Sequence, residues 1–144
     1  MIVLMKLVAV MLFCLVGMAA GAQTLPAWVG MPPARSDTYY YRVSQGIGIT
    51  EEEAESRAFA TAIMESAFAI GVPVDLKKLE QIDKDSLLVT ASRYVKIPIN
   101  KVCTHVEPLV TRRGFRAYIL CQVANDTRVV PKFRSFNCML NKEE

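Results

Sequence analysis

The sequence has few of the residues that build metal, nucleotide or nucleophilic sites. Its 144 residues include one histidine and four cysteines, and no two cysteines form a C-x-x-C pair. A tetrahedral zinc site needs four such ligands at short spacings, so no metal is expected. The pair Gly46-x-Gly48 lacks the third glycine and the lysine of a phosphate loop, and acidic residues follow it. We therefore expect no cofactor.

The chain also lacks a strong charge of either sign. Lysine and arginine number 17 and aspartate and glutamate 14, which gives a net charge of +3. So small an excess does not indicate a nucleic-acid partner. Hydrophobic residues make up 52% of the chain and charged residues 22%, a balance that excludes a disordered polar chain. The length suits one compact domain.

The longest apolar run stands at the N-terminus. Lys6 precedes an apolar run over residues 7–16, and Ala20-Gly21-Ala22 matches the small-x-small pattern that signal peptidase accepts. The run is shorter than the ~20 residues that span a bilayer, so a cleaved signal peptide over residues 1–22 is favoured over a retained anchor. Phe13 stands where a lipoprotein signal needs a small residue before Cys14. We expect export to the periplasm or the outer-membrane region without lipidation.

Residues 23–37 read as an extended proline-rich arm. Pro26, Pro32 and Pro33 remove amides that a sheet would need, and Trp28 is expected to pin the arm to the body. Residues 38–44 form the first predicted strand because they are rich in β-favouring side chains. Gly46 and Gly48 are expected to end it through positive φ.

A long helix is predicted over residues 51–70. Thr50 is a favoured N-cap, Glu53 is its capping-box partner, and Gly71 provides a left-handed stop. Alanines 54, 58 and 62 form a ridge of methyl groups along one side. Such a ridge allows the helix axis to approach a sheet closely.

Three further strands are predicted, over residues 86–97, 101–110 and 115–124, with Gly114 as the positive-φ residue of a turn at 111–114. Charged residues 75–85 suit a short surface helix or a loop, and the tail at 125–144 has no clear pattern. The order β-α-β-β-β predicts an α+β domain over residues 38–124. One long helix would cross a mostly antiparallel sheet of three to four strands.

The opposite face of such a sheet must be polar or covered. Alternation places Tyr40, Arg42 and Tyr118 on this outer face, and with the basic turn residues Arg112 and Arg113 they form the predicted contact surface. The alternative is that the Trp28 arm and the C-terminal tail lie over the face.

After export three cysteines remain, in an oxidising compartment. Cys103 and Cys121 are 18 residues apart, an even separation that places them on one face of a hairpin. A disulfide between them and two buried free thiols both fit this spacing, and Cys138 would then be unpaired. Cys103 and His105 share a face, but no orienting acid or oxyanion loop accompanies them, so catalysis is not expected.

Several of these segments together resemble the LPP20-type lipoprotein family. The resemblance covers roughly residues 25–124. It rests on Pro26-Ala27-Trp28-Val29, on the tyrosine-rich strand with Gly46-x-Gly48, on the alanine-spaced helix after Thr50, and on the strand at 118–123. It implies a bacterial envelope domain with a structural or assembly role.

The expected function is therefore a non-catalytic envelope module that binds another envelope protein or a second copy of itself. It would reach a membrane only through a partner. The alternatives are a secreted small-ligand carrier with a pocket between helix and sheet and, more remotely, an enzyme that uses Cys103 or His105.

Overall fold

The computed structural model describes residues 24–72, 87–93, 95–126, 128 and 130–144. The predicted signal peptide and the charged segment 75–85 lie outside these residues. The elements are α1 (Ala27–Gly30), β1 (Tyr39–Gly48), α2 (Glu51–Ile70), α3 (Leu87–Arg93), β2 (Ile99–Pro108), β3 (Phe115–Ala124), β4 (Phe136–Asn137) and β5 (Lys142–Glu143). Helix α2 packs on an antiparallel sheet of order β1-β3-β2, and β4 and β5 form a small second sheet. The predicted α+β class is confirmed.

Helix α2 has the predicted bounds and the predicted caps. The Thr50 hydroxyl accepts a hydrogen bond from the Glu53 amide at 3.1 Å, and the Glu53 carboxylate accepts one from the Ile49 amide at 3.0 Å. Gly71 ends the helix with φ +81°, and its amide donates to the carbonyls of Ala67 and Phe68. These local contacts satisfy backbone groups that a helix end leaves without partners.

The face of the sheet below α2 is built from small residues. Ala54, Ala58 and Ala62 are completely buried and pack against alternate residues of β3, from Ala117 to Val123. A Cβ atom added at Gly46 would lie 2.7 Å from the Ala54 carbonyl oxygen, and one at Gly48 would lie 2.6 Å from the Ala54 amide nitrogen. The two glycines do not end β1, as the sequence predicted. They lie within the strand without positive φ, because only a glycine fits beneath the helix.

The predicted strand at 86–97 is wrong. Residues Leu87–Arg93 form α3, which packs against α2 rather than joining the sheet. Ala91 and Ser92 are buried, and the Ser92 hydroxyl donates to the Val89 carbonyl at 2.6 Å. Leucine, valine and threonine gave this segment a local preference for strand, and packing against α2 overrides that preference. The sheet therefore has three strands.

The second face of the sheet is covered by the two ends of the chain, which confirms the alternative of a closed outer face. Trp28, in the single turn α1 of an otherwise extended arm, is 2% exposed and packs with Tyr39, Tyr41 and Leu120. Phe133 and Phe136 of the tail complete the cluster. The main domain thus has three layers, with α2 on one face and the chain ends on the other.

A disulfide holds the tail in place, and it is not the predicted one. Cys103 bonds to Cys138, with Cα atoms 5.8 Å apart, and Cys121 is a buried free thiol. The pairing of β2 with β3 shifts by one residue between Lys101 and Cys103. This bulge turns Cys103 to the second face while Cys121 stays beneath α2, so their even separation no longer places them on one face.

Candidate binding surfaces

The structure distributes the five predicted contact residues over three separate places. Tyr40 and Arg42 pair with Val123 and Cys121, which puts them on the α2 side of the sheet. Tyr118 lies on the second face, beside His105. Arg112 and Arg113 are exposed in the turn beyond Phe115, at the other end of β3.

The single outer surface predicted from Tyr40, Arg42 and Tyr118 is therefore wrong. The alternation along β1 was correct, but the faces were assigned in reverse. Ser44, Gly46 and Gly48 share a face with Tyr40 and Arg42, and α2 requires those small residues beneath it. The larger Tyr39, Tyr41 and Val43 are consequently turned to the second face.

Tyr40 and Arg42 instead belong to a cavity of about 690 Å³, here called the arginine pocket. It lies where the arm, β1, the end of α2 and the segment after β3 meet. Its lining residues are Arg35, Tyr40, Arg42, Ala69, Ile70, Asn125, Asp126 and Arg128. Three arginines from three separate segments thus line one open groove, and two of them, Arg35 and Arg128, are solvent-exposed.

Two of these guanidinium groups have carboxylate partners. Arg42 pairs with Glu65 at 2.9 Å, and Arg128 makes a two-pronged contact with Asp126 at 2.8 and 3.1 Å. These hydrogen bonds from Arg128 lower the pKa of Asp126 to about 2, so this carboxylate stays ionised. Arg35 donates to the neutral amide oxygen of Asn125 at 3.1 Å and pairs with no described carboxylate. Among the described residues, one of the three arginines therefore lacks a carboxylate partner.

Two donors at the pocket lack partners. The Tyr40 hydroxyl and the Arg42 Nε atom are buried, and neither has a hydrogen-bond partner in the described part of the chain. The Arg42 guanidinium carbon lies 5.8 Å from the centre of the Tyr40 ring. A buried donor without an acceptor costs free energy, so an acceptor that enters here would be favoured.

The turn between β2 and β3 is a second exposed feature. The Leu109 amide donates to the Gly114 carbonyl at 3.0 Å, and Gly114 has φ +129°, as the sequence predicted. Val110 is 98% exposed beside Arg112 and Arg113. This tip presents one apolar and two basic side chains to solvent.

The second face contains a buried polar network. The Tyr39 and Tyr41 hydroxyls both donate to Glu143 Oε1 at 2.6 Å. Gln122, which is completely buried, donates to the Tyr41 oxygen at 3.0 Å and to the Arg134 carbonyl at 2.9 Å. The hydrogen bonds from the tyrosines lower the pKa of Glu143. Burial, followed by the bond to Glu143, raises the pKa of both tyrosines.

The two outer edges of the sheet differ. Strand β1 pairs with β3 over ten residues without a register shift. Strand β2 carries a bulge and ends in Pro108, two features that discourage the addition of another strand. In β1, the Tyr39 carbonyl accepts a hydrogen bond from the Ser36 amide, and the Ile47 carbonyl accepts one from the Arg57 side chain. The backbone N–H and C=O groups of the odd-numbered residues therefore point away from β3. The N–H and C=O groups of Tyr41, Val43 and Gln45 have no partner among the described residues.

The thiols offer little reactivity. Cys103 is held in the disulfide, so the pair it forms with His105 has no free nucleophile. Burial raises the pKa of Cys121 to about 12, which keeps this thiol protonated at neutral pH. Within the described ranges, no three histidine, cysteine, aspartate or glutamate side chains form a group that could hold a metal ion.

The sequence interpretation missed Arg35, Asn125 and Arg128 of the pocket and Gln122 and Glu143 of the network. The arm and the tail have no periodicity, so their sequence did not indicate which of their side chains would come together. Gln122 alone gave a signal, because a glutamine in a strand of apolar and aromatic residues requires buried partners.

None of the described helices is long and apolar enough to cross a membrane. No protein-family model, curated protein or solved structure matches this chain. What it does must accordingly be argued from its own residues and their geometry.

Proposed function

We propose that this chain is a non-catalytic module of the bacterial cell envelope that acts by binding another envelope protein or a second copy of itself. The observation that carries the proposal is the outer edge of β1. Both faces of the sheet are covered by the chain's own elements, whereas the edge of β1 is regular, and the backbone groups of Tyr41, Val43 and Gln45 on it have no partner among the described residues. A strand from a partner would pair with these groups by backbone hydrogen bonds.

Two observations support an envelope location. The Cys103–Cys138 disulfide suits an oxidising compartment, which is where a chain exported by the predicted signal peptide would fold. The resemblance of residues 25–124 to the LPP20-type family points to the same compartment. The structural or assembly role of that family agrees with a module whose open feature is a strand edge.

The small-ligand alternative keeps a pocket between helix and sheet at the end of α2, where Ala69 and Ile70 line the arginine pocket together with Tyr40 and Arg42. Close packing of α2 on Gly46 and Gly48 leaves no room for a ligand where the helix crosses β1. The alternative enzyme was expected to use Cys103 or His105, and the disulfide at Cys103 removes the first of these as a free thiol.

In-cell crosslinking of a C-terminally tagged copy, followed by mass spectrometry of the envelope fraction, tests the proposal. We expect crosslinks from β1 or from the turn at 110–113 to one envelope protein or to a second copy. A monomer without crosslinks at native expression would refute it.

A pair of proline variants identifies the edge. Gln45 is an exposed residue whose amide points outward from β1, so Gln45→Pro removes an edge donor and keeps the pairing with β3. Thr104 is its counterpart on β2. Leu120 of β3 is paired with Val43 on one side and with Cys103 on the other, and its backbone N–H and C=O groups point toward Cys103. The backbone N–H and C=O groups of the next residue of β2, Thr104, therefore point outward. We expect Gln45→Pro to abolish the crosslinks and Thr104→Pro to preserve them, with both variants folded by circular dichroism. Loss of crosslinks in both would contradict the assignment to β1.

A further inference from the structure

We propose that the arginine pocket binds a phosphate group. This site is distinct from the β1 edge, and the proposal does not depend on the proposed function. Arg35, Arg42 and Arg128 line one cavity, and each guanidinium has donors left beyond its contact to Asn125, Glu65 or Asp126. Guanidinium groups bind phosphate oxygens through paired N–H donors.

The charge balance favours a ligand with one or two negative charges. Asp126 and Glu65 offset two of the three arginines, and Arg35 has no described carboxylate partner. The last turn of α2, at Ala69 and Ile70, adds the partial negative charge of a helix C-terminus. These negative groups oppose a highly charged polyanion more strongly than a single phosphate.

The arrangement favours phosphate over carboxylate. The three arginines come from three separate segments, the arm, β1 and the stretch after β3, so their donors are not confined to one side chain or one element. A tetrahedral phosphate presents oxygens in several directions, while a carboxylate presents two oxygens in one plane. The Tyr40 hydroxyl and Arg42 Nε, which have no partner among the described residues, are buried behind the pocket lining, so an acceptor reaches them only if the two side chains shift. At about 690 Å³ the cavity also has room for the group that a phosphate ester would carry.

The pocket is built to hold its shape. Asn125 fixes the arm against the end of β3, since its side-chain amide donates to the Asp37 carbonyl at 3.0 Å and to the Ser36 carbonyl at 3.3 Å. Its backbone amide donates to the Thr38 carbonyl at 3.0 Å. These three hydrogen bonds from Asn125 hold the arm beside the cavity, and none of them involves the Arg35 guanidinium.

The test is a titration of the mature chain, residues 23–144, followed by NMR of the backbone amides and arginine side chains. The first probe is inorganic phosphate, with sodium acetate at equal ionic strength as the comparison. We expect phosphate to shift the resonances of Arg35, Tyr40, Arg42 and Arg128, and acetate to shift them far less. Equal shifts with both salts, or none with phosphate up to about 10 mM (a Kd weaker than ~10 mM corresponds to less than ~3 kcal/mol), would overturn the proposal.

Vesicles distinguish a lipid headgroup from a soluble phosphate. Binding to mixed phosphatidylglycerol and phosphatidylcholine vesicles, with none to phosphatidylcholine alone, would place the phosphate on a lipid. Shifts with inorganic phosphate and no vesicle binding would make it a soluble compound. Both outcomes support the site.

Matched variants separate a built site from general electrostatic attraction. Arg35→Gln should weaken phosphate binding at least tenfold, because it removes the arginine that has no described carboxylate partner. Arg112→Gln removes the same charge at the far end of the sheet and should leave binding unchanged. Equal weakening by both variants would overturn the proposal, because the pocket geometry would then have no role.

Discussion

The two faces of the sheet are closed by different physical means. Below α2 the contacting residues are small: completely buried alanines lie above glycines at which an added Cβ atom would come within 3 Å of the helix backbone. On the second face large aromatic rings, a polar network and a disulfide hold two segments that have almost no regular structure. The first face depends on close steric fit, and a side-chain atom added at Gly46 or Gly48 would clash with the backbone of α2. The second depends on a few specific bonds, each of which can be removed singly.

The largest expected effect is a side chain at the helix contact. Gly46→Val places carbon atoms where three backbone atoms of α2 already lie within 2.8 Å of the Cβ position. Because backbone cannot move aside cheaply, we expect a loss of about 4 kcal/mol or more in the free energy of unfolding. Chemical denaturation measures it. Gly30→Val is the control, because a Cβ atom at Gly30 meets nothing within 4 Å. A Gly46→Val variant as stable as that control would contradict the close packing.

Removing the disulfide comes next. The double variant Cys103→Ala with Cys138→Ala opens a link that spans 35 residues, and a loss of about 2–4 kcal/mol is expected. A reducing agent should lower the melting temperature of the parent chain to about that of the double variant. It should leave the melting temperature of the double variant unchanged. If reduction lowers the melting temperature of both proteins equally, the loss of stability does not come from the Cys103–Cys138 disulfide.

A smaller effect is expected from the carboxylate of the network. Glu143→Gln weakens the two hydrogen bonds from Tyr39 and Tyr41, with an expected cost of about 1 kcal/mol at neutral pH. Because folding lowers the pKa of Glu143, its ionised form stabilises the fold above the ordinary value of 4.5. That contribution is lost as the pH falls through the lowered folded-state pKa. The stability difference between parent and variant should therefore shrink in acid, and a difference constant with pH would speak against the network.

The smallest effect on stability is expected outside both faces. Arg112→Glu with Arg113→Glu changes exposed turn residues, so the free energy of unfolding should change by less than about 0.5 kcal/mol. If the turn contributes to partner contact, recovery of the crosslinked partner should fall nonetheless. A large loss of stability would show that these arginines serve the fold instead.

How much of the fold the sequence predicted depends on how local its signals are. Helix α2 and the β3 strand were predicted with their observed bounds, because caps and alternation are encoded within a few residues. The predicted strand at 86–97 failed because α3 depends on packing against α2, a contact distant in sequence. The faces of β1 were reversed because the need for glycine under the helix is visible only in three dimensions.

The candidate site was less predictable than the fold. Tyr40 and Arg42 were named, but their neighbours Arg35 and Arg128 come from the arm and from the segment after β3, which have no periodicity. Neither alternative for the cysteines included the Cys103–Cys138 disulfide, because one bulge in β2 reverses the side-chain alternation on which the sequence interpretation relied. A bulge leaves no mark in composition or spacing that identifies its position.

The most direct test is peptide mapping of the purified, non-reduced protein, with alkylation of free thiols before and after denaturation. If the tail closes the second face through its disulfide, the map contains a linked peptide pair with Cys103 and Cys138, and Cys121 is alkylated only after denaturation. A link between Cys103 and Cys121, or rapid alkylation of Cys138 in the folded protein, would contradict this closure.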